Sequence, residues 1–585
     1  MIRNFKFEIK NYKGMIWKLK ENSEEVFEND SLIDEPLALH PKVLKLLNQR
    51  GIKTKEKIKK FMFPNYDQDI LDPFLFKDMP KAMERLRLAK ENKEKVLIFG
   101  DYDADGITSS LILKVTLGEV GLSTTVYIPD KEDGYGLSDE ALKIFSEKGF
   151  TLVITTDCGI TSKDEVAGAA KIGMDVIVTD HHHVPPEIPL AVAVINPKIK
   201  NCGYPEDNLA GVGVAFKFAQ AIYDTFLPEK KEATKWMLDL VAIGTIADMV
   251  PLTGENRTMV KFGLLVLSKT RRVGLQEMFK VGRILIDENN FPDARKISFQ
   301  IAPRINAASR MTHAEKAFSL LAETDRVLAR DMALDIESQN SRRQKETATV
   351  VSEAEKIAKN SFKDKNFILV ANENFPIGIL GLVAGKMVDK FKRPVAILKK
   401  GNAESKGSFR SIPQINIIES IEACSESLVK YGGHAQAAGI TIKNENLEKF
   451  YEKLARIIDE KLDGMDLSPE IKVDLELTSQ DIGLELIEDL KKMEPFGQGN
   501  ELPIFMMKEL IIQDLKWVGN GEKHLKLFVR PKNGSPKIFE AIGFNLSERF
   551  KELKVGEEIN LLFNLEEDEW NGNKKIQMKI IDIKK

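Results

Sequence analysis

The sequence predicts a multidomain α/β protein with a parallel-sheet domain, a long connecting helix, a smaller α/β domain and a C-terminal antiparallel β-barrel. Three patterns support this fold class. From about residue 80, short apolar runs alternate with helix-length segments, which is typical of a parallel sheet with helical crossovers. The stretch from Arg304 to Phe375 contains neither Gly nor Pro, as expected of helix. After about residue 465, short alternating runs between polar turns indicate a small barrel.

Each predicted element has its own segment. The candidate strands of the first domain are KVLIF (95–99), TTVYIPD (124–130), TLVITTD (151–157), MDVIVTD (174–180) and AVAVINP (191–197), and a helical region follows at roughly 205–270. The second domain starts near NFILV (366–370) and contains the glycine-rich IGILGLVAGK (377–386). The barrel runs are LKLFVR (525–530), KIFEAIGF (537–544), INLLFNL (559–565) and KIQMKIIDI (575–583). We therefore expect a lead-in at 1–50, a parallel-sheet domain at 51–300, a helical connector at 301–362, a second α/β domain at 363–462 and a barrel domain at 463–585.

The composition describes a folded chain without a global charge bias. Hydrophobic residues make up 43% and charged residues 30%, and 86 Lys+Arg against 89 Asp+Glu give a net charge of -3. Any contact with nucleic acid would therefore need local basic grooves. The three cysteines, Cys158, Cys202 and Cys424, form no CxxC pair, which argues against structural zinc and a disulfide framework. No signal peptide or spanning helix is evident, so we expect a cytoplasmic protein that does not enter a membrane.

Acidic residues follow three of the predicted strands. They are Asp101, Asp103 and Asp105 after the first, Asp157 after the third, and Asp180 with His181 and His182 after the fourth. Side chains just past the carboxyl ends of parallel strands face one crevice. Clustered carboxylates raise one another's pKa and oppose folding unless cations neutralise them. Carboxylate and imidazole ligands suit Mn²⁺ or Mg²⁺, so the pattern predicts a pair of divalent cations.

Each acid also has a purely structural explanation. A single Asp after a strand is commonly a helix N-cap, and Asp101 fits that role. A DxD pair is common in loops, and the histidine run by itself could be a polar loop at a strand end. The joint pattern of three acidic strand ends favours the metal site.

These segments resemble the motifs of the DHH phosphoesterase superfamily, and specifically of the bacterial RecJ single-strand exonucleases. The four ordered motifs are GDYDADG (100–106), TTDCG (155–159), DHH (180–182) and GTIADMVPL (244–252). Further RecJ-like pieces are YIPDKEDGYGLS (127–138), LAGVGVAFK (209–217) and APRINAASRM (302–311). GSFRSIP (407–413) and GGHAQAAG (432–439) resemble the DHH-associated domain, and EPFGQGNELP (494–503) resembles the link to the barrel. The resemblance covers nearly the whole chain beyond about residue 40.

The resemblance implies a metal-binding or catalytic role for each matching acid and imidazole. The implied metal ligands are Asp103, Asp105, Asp157, His181 and Asp248, with Asp101 as a further candidate where related subfamilies have histidine. His182 would be a ligand or an acid/base partner in catalysis. Asp180 would orient His181 or His182 and so fix a tautomer.

The implied substrate-binding residues are Lys131, Arg304, Arg310, Ser408, Arg410 and His434. Arginine suits this role because its planar fork binds phosphate oxygens in pairs. The alternatives are an inter-lobe salt bridge for Arg304 and Arg310, and a structural role for His434. The chain departs from the family pattern at Phe375 and Pro376, which stand for Trp and His, and at Lys131 and Ser309, which stand for Arg and Gly.

The resemblance implies a single-stranded-DNA-specific 5′→3′ exonuclease that releases nucleoside 5′-monophosphates by two-metal-ion hydrolysis in DNA recombination and repair. A single-strand-binding protein and a RecQ-type helicase are partners implied by the family alone. The barrel resembles an OB-fold, and one hairpin-like region carries aromatic and basic residues that could bind single strands: Trp517, His524, Phe528, Lys523, Lys526 and Arg530. The alternative for the aromatic residues is that they belong to the barrel core. The alternatives are a DHH-type oligonucleotide phosphodiesterase and a non-catalytic single-strand-binding scaffold, which the complete set of acids disfavours. The sequence predicts no oligomeric state.

Overall fold

The structure, a computed structural model, describes residues 15–20, 39–130, 136–288, 290–362, 365–465, 467–570 and 573–585. The chain divides into two compact units. Of the described residues, unit I comprises those within Lys55–Arg343 and Met493–Glu501, and unit II comprises those within Met1–Thr54, Gln344–Lys492 and Leu502–Lys585. Lys131, one of the predicted substrate-binding residues, lies outside the described residues.

The regular elements span most of the described chain. In chain order the strands are β1 (Ile16–Leu19), β2 (Lys95–Gly100), β3 (Ser123–Tyr127), β4 (Phe150–Thr156), β5 (Asp175–Thr179), β6 (Ala193–Ile195), β7 (Ile368–Asn372), β8 (Val395–Lys400), β9 (Glu404–Arg410), β10 (Leu428–His434), β11 (Ala437–Lys443), β12 (Glu470–Val473), β13 (Leu475–Glu476), β14 (Phe505–Val518), β15 (His524–Pro531), β16 (Phe539–Gly543), β17 (Glu558–Trp570) and β18 (Asn573–Lys584).

The α-helices are α1 (Pro41–Gln49), α2 (Lys55–Met62), α3 (Tyr66–Asp69), α4 (Met79–Glu91), α5 (Ala104–Glu119), α6 (Asp139–Glu147), α7 (Lys163–Lys171), α8 (Gly211–Phe226), α9 (Leu238–Ala247), α10 (Gly254–Ser268), α11 (Val273–Gly282), α12 (Ala294–Lys296), α13 (Ala302–Met311), α14 (Glu315–Ala322), α15 (Arg326–Ser361), α16 (Leu380–Phe391), α17 (Ile417–Glu422), α18 (Leu447–Leu462), α19 (Leu484–Lys492) and α20 (Ser547–Phe550). Short 3₁₀ segments lie at Pro73–Leu75, Pro228–Met237, Ile377–Ile379, Ser425–Ser427 and Asn444–Asn446, and a π-helical turn lies at Ile297–Ile301.

Unit I contains the predicted parallel sheet. Its strands lie in the order β3-β2-β4-β5-β6, and every pair is parallel. Alternate residues of β2 enter two different hydrophobic clusters, Val96 and Ile98 on one face and Leu97 and Phe99 on the other. The sheet is therefore buried on both faces, which is why its strands are continuous apolar runs.

Helices α5, α8 and α9 pack against one another beside this sheet. Every residue of α9 from Leu238 to Ile246 is buried, which explains why its sequence lacks an amphipathic period. A side chain at Gly244 would not fit, because its Cβ would lie 2.6 Å from Thr108 Oγ1. The close packing brings the end of α9, at Asp248, next to the carboxyl edge of the sheet.

Unit II contains the second α/β domain. Its sheet has the order β10-β11-β9-β8-β7, with β7 and β8 parallel and the other pairs antiparallel. Helix α18 buries Phe450, Leu454, Ile458 and Leu462, a spacing of four that aligns them along one face. These residues form a core with Phe409 of β9.

The C-terminal barrel is closed. The pairs β14–β15, β15–β16 and β17–β18 are antiparallel, and an antiparallel β14–β17 pair closes the ring. The β16–β18 pair is parallel, so the prediction of an antiparallel barrel needs one correction. A closed ring of five strands cannot alternate in direction throughout, and one pair must be parallel.

The predicted connecting helix is α15, which is 36 residues long. Its first residues belong to unit I and its last to unit II. Asp325 Oδ1 begins it by accepting hydrogen bonds from the amides of Val327 and Leu328, both at 2.9 Å. The preceding part of the expected connector is two shorter helices, α13 and α14. None of the helices in the described ranges is both long enough and apolar enough to cross a membrane.

Candidate metal centre

The register of the parallel sheet aligns the three acidic strand ends. Gly100 of β2 pairs with Thr156 of β4, and Thr156 pairs with Thr179 of β5. The next residue of each strand is therefore an aspartate at the same edge of the sheet: Asp101, Asp157 and Asp180. Asp157 has a φ of 61°, a left-handed conformation that Asp tolerates better than most residues.

The predicted ligands come together at this edge. Potential ligand atoms lie within 4.8 Å of one another in three groups: Asp157, His181 and His182; Asp105, His181 and Asp248; and Asp101, Asp103 and Asp157. His181 Nε2 lies 3.1 Å from Asp157 Oδ1, 3.6 Å from Asp248 Oδ2 and 3.9 Å from Asp105 Oδ2. Segments far apart in the sequence thus form one cluster.

Asp105 is held by the start of α8. The amides of Gly211 and Val212 donate to its Oδ2 and Oδ1, both at 2.8 Å. The first amides of a helix have no partner within the helix and favour an anion. The sequence did not indicate that LAGVGVAFK (209–217) holds Asp105; the segment was recognised only by its similarity to the family. Its glycine spacing at a helix start is the feature that could have indicated it.

Asp103, and not Asp101, is the N-cap of α5. Its Oδ1 accepts hydrogen bonds from the amides of Asp105 at 2.8 Å and Gly106 at 3.1 Å. The interpretation of Asp101 as the cap is wrong, because the chain turns for two more residues before the helix begins. The amide of Ala104 donates to Asn306 Oδ1 at 2.8 Å. Asn306, from APRINAASRM, therefore fixes the first acidic loop, a role that the sequence did not reveal.

Asp180 orients His182. Its Oδ1 accepts from the amides of His181 at 2.7 Å and His182 at 3.1 Å and lies 2.8 Å from His182 Nδ1, while its Oδ2 accepts from Ile160 N at 2.9 Å. Burial opposes ionisation of Asp180, but the hydrogen bonds from His182 and Ile160 outweigh it and lower its pKa. The same bond outweighs burial at His182 and raises the pKa of that imidazole. Of the two predicted partners of Asp180, His182 is the one whose ring it bonds.

The electrostatics of the cluster oppose its ionised form. Burial, followed by the charges of neighbouring carboxylates, raises the pKa values of Asp101, Asp105 and Asp157 well above the usual range. Burial and the charge on Asp103 raise the pKa of Asp248 to about 7. Burial and the charge on His182 lower the pKa of His181 to about 3, so His181 is neutral at pH 7, the form that ligates metals.

The donor set fits divalent cations. Asp105, Asp157 and His181 are at most 5% exposed, and the buried Nε2 of His181 lies beside three carboxylates. A neutral imidazole nitrogen that does not satisfy these carboxylates is costly to bury, and so is a group of buried carboxylates. Cations would remove both costs. Carboxylate oxygens with imidazole suit Mn²⁺ and Mg²⁺, and no thiolate contributes.

The predicted substrate-binding arginines of unit I have different surroundings. Arg304 donates to Glu337 Oε2 and to Gln300 O, both at 2.6 Å. Arg304 thus forms a salt bridge, as the alternative expected, but with a residue of the same unit and not between two lobes. Burial, followed by the charges on Arg310 and Arg304, lowers the pKa of Arg343 to about 10. Three guanidinium groups therefore share this part of unit I. The sequence did not indicate the burial of Arg343, because nothing in a charged helix distinguishes it from its neighbours.

Ser408, Arg410 and His434 lie on the sheet of unit II. Ala437 pairs with Arg410 on one side and with His434 on the other, so these side chains leave the same face of the sheet. Arg410 Nη1 lies 3.5 Å from Ser408 Oγ. A Cβ at Gly381, near the start of α16, would lie 3.1 Å from both side chains. A glycine at this position leaves them room.

The barrel hairpin has two distinct faces. His524, Lys526, Phe528 and Arg530 alternate with buried residues of β15 and lie on its outer face. Lys516 and Lys526 place ammonium groups 5.7 and 5.5 Å from the centre of the Phe528 ring. Trp517 pairs with the buried Leu525, so it lies on the core side of the hairpin. Trp517 therefore fits the barrel-core alternative, whereas the residues of the outer face fit the strand-binding alternative.

Three family models match the chain. They are described as DHH family, N-terminal domain, at residues 95–245; DHHA1 domain, at 364–460; and RecJ OB domain, at 473–582.

Curated relatives match over most of the chain. "Single-stranded-DNA-specific exonuclease RecJ" of Bacillus subtilis is 37% identical over 573 residues, which are 97% of this chain and 70% of the relative. The protein of the same name from Haemophilus influenzae is 32% identical, over 94% of this chain and 97% of its own length. A crystal structure of RecJ in complex with Mn²⁺ from Thermus thermophilus is similar with a TM-score of 0.79 at 27% identity, covering 94% of this chain and 76% of that one. The corresponding structure with Mg²⁺ has a TM-score of 0.71 at 26% identity, over 94% and 75%.

Proposed function

This chain belongs to the RecJ family, and we propose that it is a metal-dependent, single-stranded-DNA-specific exonuclease that digests DNA from the 5′ end and releases nucleoside 5′-monophosphates. One observation supports this most: buried carboxylates and a neutral imidazole from four separate segments lie within ligand distance of one another. The proposed substrate, single-stranded DNA, is inferred from the family, and the proposed metal-dependent hydrolysis is inferred from the site.

A divalent cation pair held by these residues would activate a water molecule and stabilise charge on the attacking and leaving oxygens of phosphodiester hydrolysis. Asp157 belongs to two of the three ligand groups and has two carboxylate oxygens, so we assign it as the residue that would serve both cations, whereas His181, with one lone pair to offer, would bind one. Asp105 keeps its orientation through the α8 amides, so its carboxylate need not reorganise during the reaction.

His182 is the proposed proton donor. Its Nδ1 bond to Asp180 fixes the tautomer and assigns proton transfer to Nε2. In each cycle the oxygen of water joins the phosphorus, the bond to the 3′ oxygen of the terminal nucleotide breaks, and that oxygen takes a proton. The products are a nucleoside 5′-monophosphate and a strand with a new 5′-phosphate.

Each group of candidate substrate-binding residues is assigned to a part of the DNA strand. Arg410, Ser408 and His434 present hydrogen-bond donors on one face of a sheet, which suits a terminal phosphate. Arg310 and Arg304 are assigned to the adjoining phosphates, and the outer face of the barrel hairpin to the rest of the strand. Lys131 is retained as a phosphate contact on the family pattern alone.

The cellular setting follows from the family. We propose a cytoplasmic enzyme of DNA recombination and repair that acts with a single-strand-binding protein and a RecQ-type helicase. The domain division expected from the sequence, with the hydrolytic site in residues 51–300, is kept as part of this proposal.

The proposal is tested with Mn²⁺ on three substrates: end-labelled single-stranded DNA blocked at either end, duplex DNA, and a dinucleotide. We expect digestion only of single strands with an open 5′ end. Asp157→Ala should abolish it while DNA binding remains. Asp239→Ala is the matched control, because Asp239 is an equally buried carboxylate of unit I that bonds Thr270 Oγ1 at 2.7 Å and belongs to none of the metal-binding groups.

Each other outcome points to a different function. Cleavage of the dinucleotide alone would favour the oligonucleotide phosphodiesterase. Binding of single strands without any cleavage would favour the scaffold. Unchanged digestion by Asp157→Ala would refute the catalytic assignment.

A further inference from the structure

The segment Met493–Glu501 has no role in the function proposed so far. It contains most of the EPFGQGNELP stretch and lies between α19 and β14, which belong to unit II, yet its contacts place it in unit I. We refer to it as the 493–501 segment. Its neighbours in unit I are the residues that follow the metal-site aspartate Asp248.

Asn500 gives the segment a fixed shape. Its Nδ2 donates to Met493 O and Pro495 O, both at 2.8 Å. Its backbone exchanges hydrogen bonds with Gly497 at 2.9 and 3.1 Å. Asn500 is fully buried, so removal of its amide would leave two buried carbonyls without these donors.

Arg257 of α10 anchors the segment. Its guanidinium donates to Glu494 O at 2.8 Å and to Phe61 O at 2.9 Å, and it lies 3.8 Å from the centre of the Phe61 ring. Arg257 is 2% exposed. Hydrogen bonds from a charged guanidinium are strong, so the buried Arg257 side chain fixes the positions of the two carbonyls that it binds.

The anchored segment contacts the loop after Asp248. The amide of Leu252 donates to Gln498 O at 2.7 Å. A Cβ at Gly497 would lie 2.7 Å from Leu252 Cδ1, and one at Gly499 would lie 3.0 Å from Pro251 Cβ. The segment is thus in direct contact with residues three and four positions after Asp248.

Asp248 depends on its backbone for its position more than Asp105 does. Its carboxylate accepts no hydrogen bond from any residue in the described part of the chain, and its side chain is 26% exposed, against 0% for Asp105. The next residue, Met249, has a φ of 61°, a conformation that a non-glycine residue keeps only where its surroundings impose it. The position of the carboxylate is therefore set by the backbone on both sides of it.

A second contact couples the same loop to Asp105. Asn256, which is buried, donates from Nδ2 to Pro251 O at 3.1 Å and to Asn208 O at 2.6 Å. Asn208 lies three residues before the α8 amides that hold Asp105. The 493–501 segment, through Pro251, is thus part of the support of two metal-site residues.

We infer that the 493–501 segment is a positioning element for the metal centre, and that Asn500 and Arg257 hold Asp248 where a cation needs it. The inference rests on the proposed function, since it requires the site to bind metal. Substitution of residues that orient a ligand typically costs ten-fold or more in metal affinity. We therefore expect Mn²⁺ to bind Asn500→Ala about ten-fold more weakly than the wild type.

The test is a calorimetric titration of the full-length, metal-free protein with Mn²⁺, with melting curves in EDTA and in Mn²⁺. Asn444→Ala is the matched control, because Asn444 Nδ2 also closes a turn through two carbonyls, Gly401 O at 2.8 Å and Asn402 O at 3.2 Å, and lies in unit II. The control should lose stability in EDTA without losing Mn²⁺ affinity. Asn500→Ala should lose both, and Mn²⁺ should raise its melting temperature less than that of the wild type.

Gly499→Ala tests the same contact without removing a hydrogen bond. Gly499 has a φ of 72°, and its new Cβ would meet Pro251. We expect weaker Mn²⁺ binding here too. If both variants bind Mn²⁺ as the wild type does, the segment is merely structural and the inference is wrong. A wild type that binds no Mn²⁺ would instead overturn the proposed function, and the inference with it.

Discussion

Gly211→Ala should disable the metal centre although Gly211 carries no functional group. Gly211 is the first residue of α8, and its amide donates to Asp105 Oδ2 at 2.8 Å. A Cβ at this position would lie 2.3 Å from Asp157 Oδ1 and 2.6 Å from Asp157 Cγ. The substitution therefore places a methyl group against the carboxylate that two ligand groups share.

The size of the effect follows from the overlap. Real Cβ contacts essentially never fall below 3.0 Å, so the Asp157 carboxylate, or α8 itself, must move by about 0.7 Å. A displacement of about 1 Å at a catalytic centre can cost about 10²-fold in rate. Movement of α8 would also lengthen the bonds that hold Asp105. We expect turnover to fall by about 10²-fold and Mn²⁺ affinity to fall with it.

Gly213→Ala, two residues further along α8, is the control. Its new Cβ would have its nearest neighbour, Leu209 Cβ, at 3.4 Å, an ordinary contact. Alanine also favours a helix over glycine by about 1 kcal/mol, so this variant should be at least as stable as the wild type and fully active. The assays are single-turnover digestion of 5′-labelled single-stranded DNA and Mn²⁺ titration. Equal activity and equal Mn²⁺ affinity of the two variants would refute the packing argument.

Three further outcomes are expected. Asp180→Asn should lower turnover by about 10–100-fold, because an amide cannot accept from His182 and from three backbone amides together; unchanged single-turnover rates would contradict this. The raised pKa of Asp248, about 7 without metal, means that the metal-free fold holds more protons than the unfolded chain between about pH 4 and pH 7. Stability in EDTA should therefore fall as the pH rises through this window, while Mn²⁺ affinity should weaken about ten-fold per unit below pH 7; flat pH profiles in melting and calorimetry would count against the cluster. Phe528→Ala should weaken binding of single-stranded DNA by about 1–3 kcal/mol in fluorescence anisotropy, whereas Trp517→Ala should lower the melting temperature of the protein, and the reverse pattern would exchange their roles.

The strand-end aspartates were predictable because a parallel sheet has a simple rule. Apolar runs of strand length mark where strands stop, and residues just beyond them share one edge. Asp101, Asp157 and Asp180 follow directly. Asp248 does not, because it follows a buried helix without a period, and only its resemblance to a family motif pointed to it.

The supports of the site could not be predicted in the same way. The amides of Gly211 and Val212, the carbonyl of Gln498 and the amide side chain of Asn306 act through contacts between segments far apart in the chain. Backbone groups are the same at every position, so no residue type marks the ones that hold a ligand. The core-side position of Trp517 depends likewise on a strand register that the aromatic pattern leaves open.

The order of the elements, the family and the residue types of the candidate ligands were predictable because periodicity and residue type are local properties that survive in the unfolded chain. Which candidate ligand each support holds, which histidine Asp180 bonds, and that the distant 493–501 segment contacts the Asp248 loop were visible only in the folded chain. These contacts join segments that are far apart in the sequence, so they form only when α8, α9 and the sheet pack together. The packing is close enough that a methyl group at Gly211 would not fit.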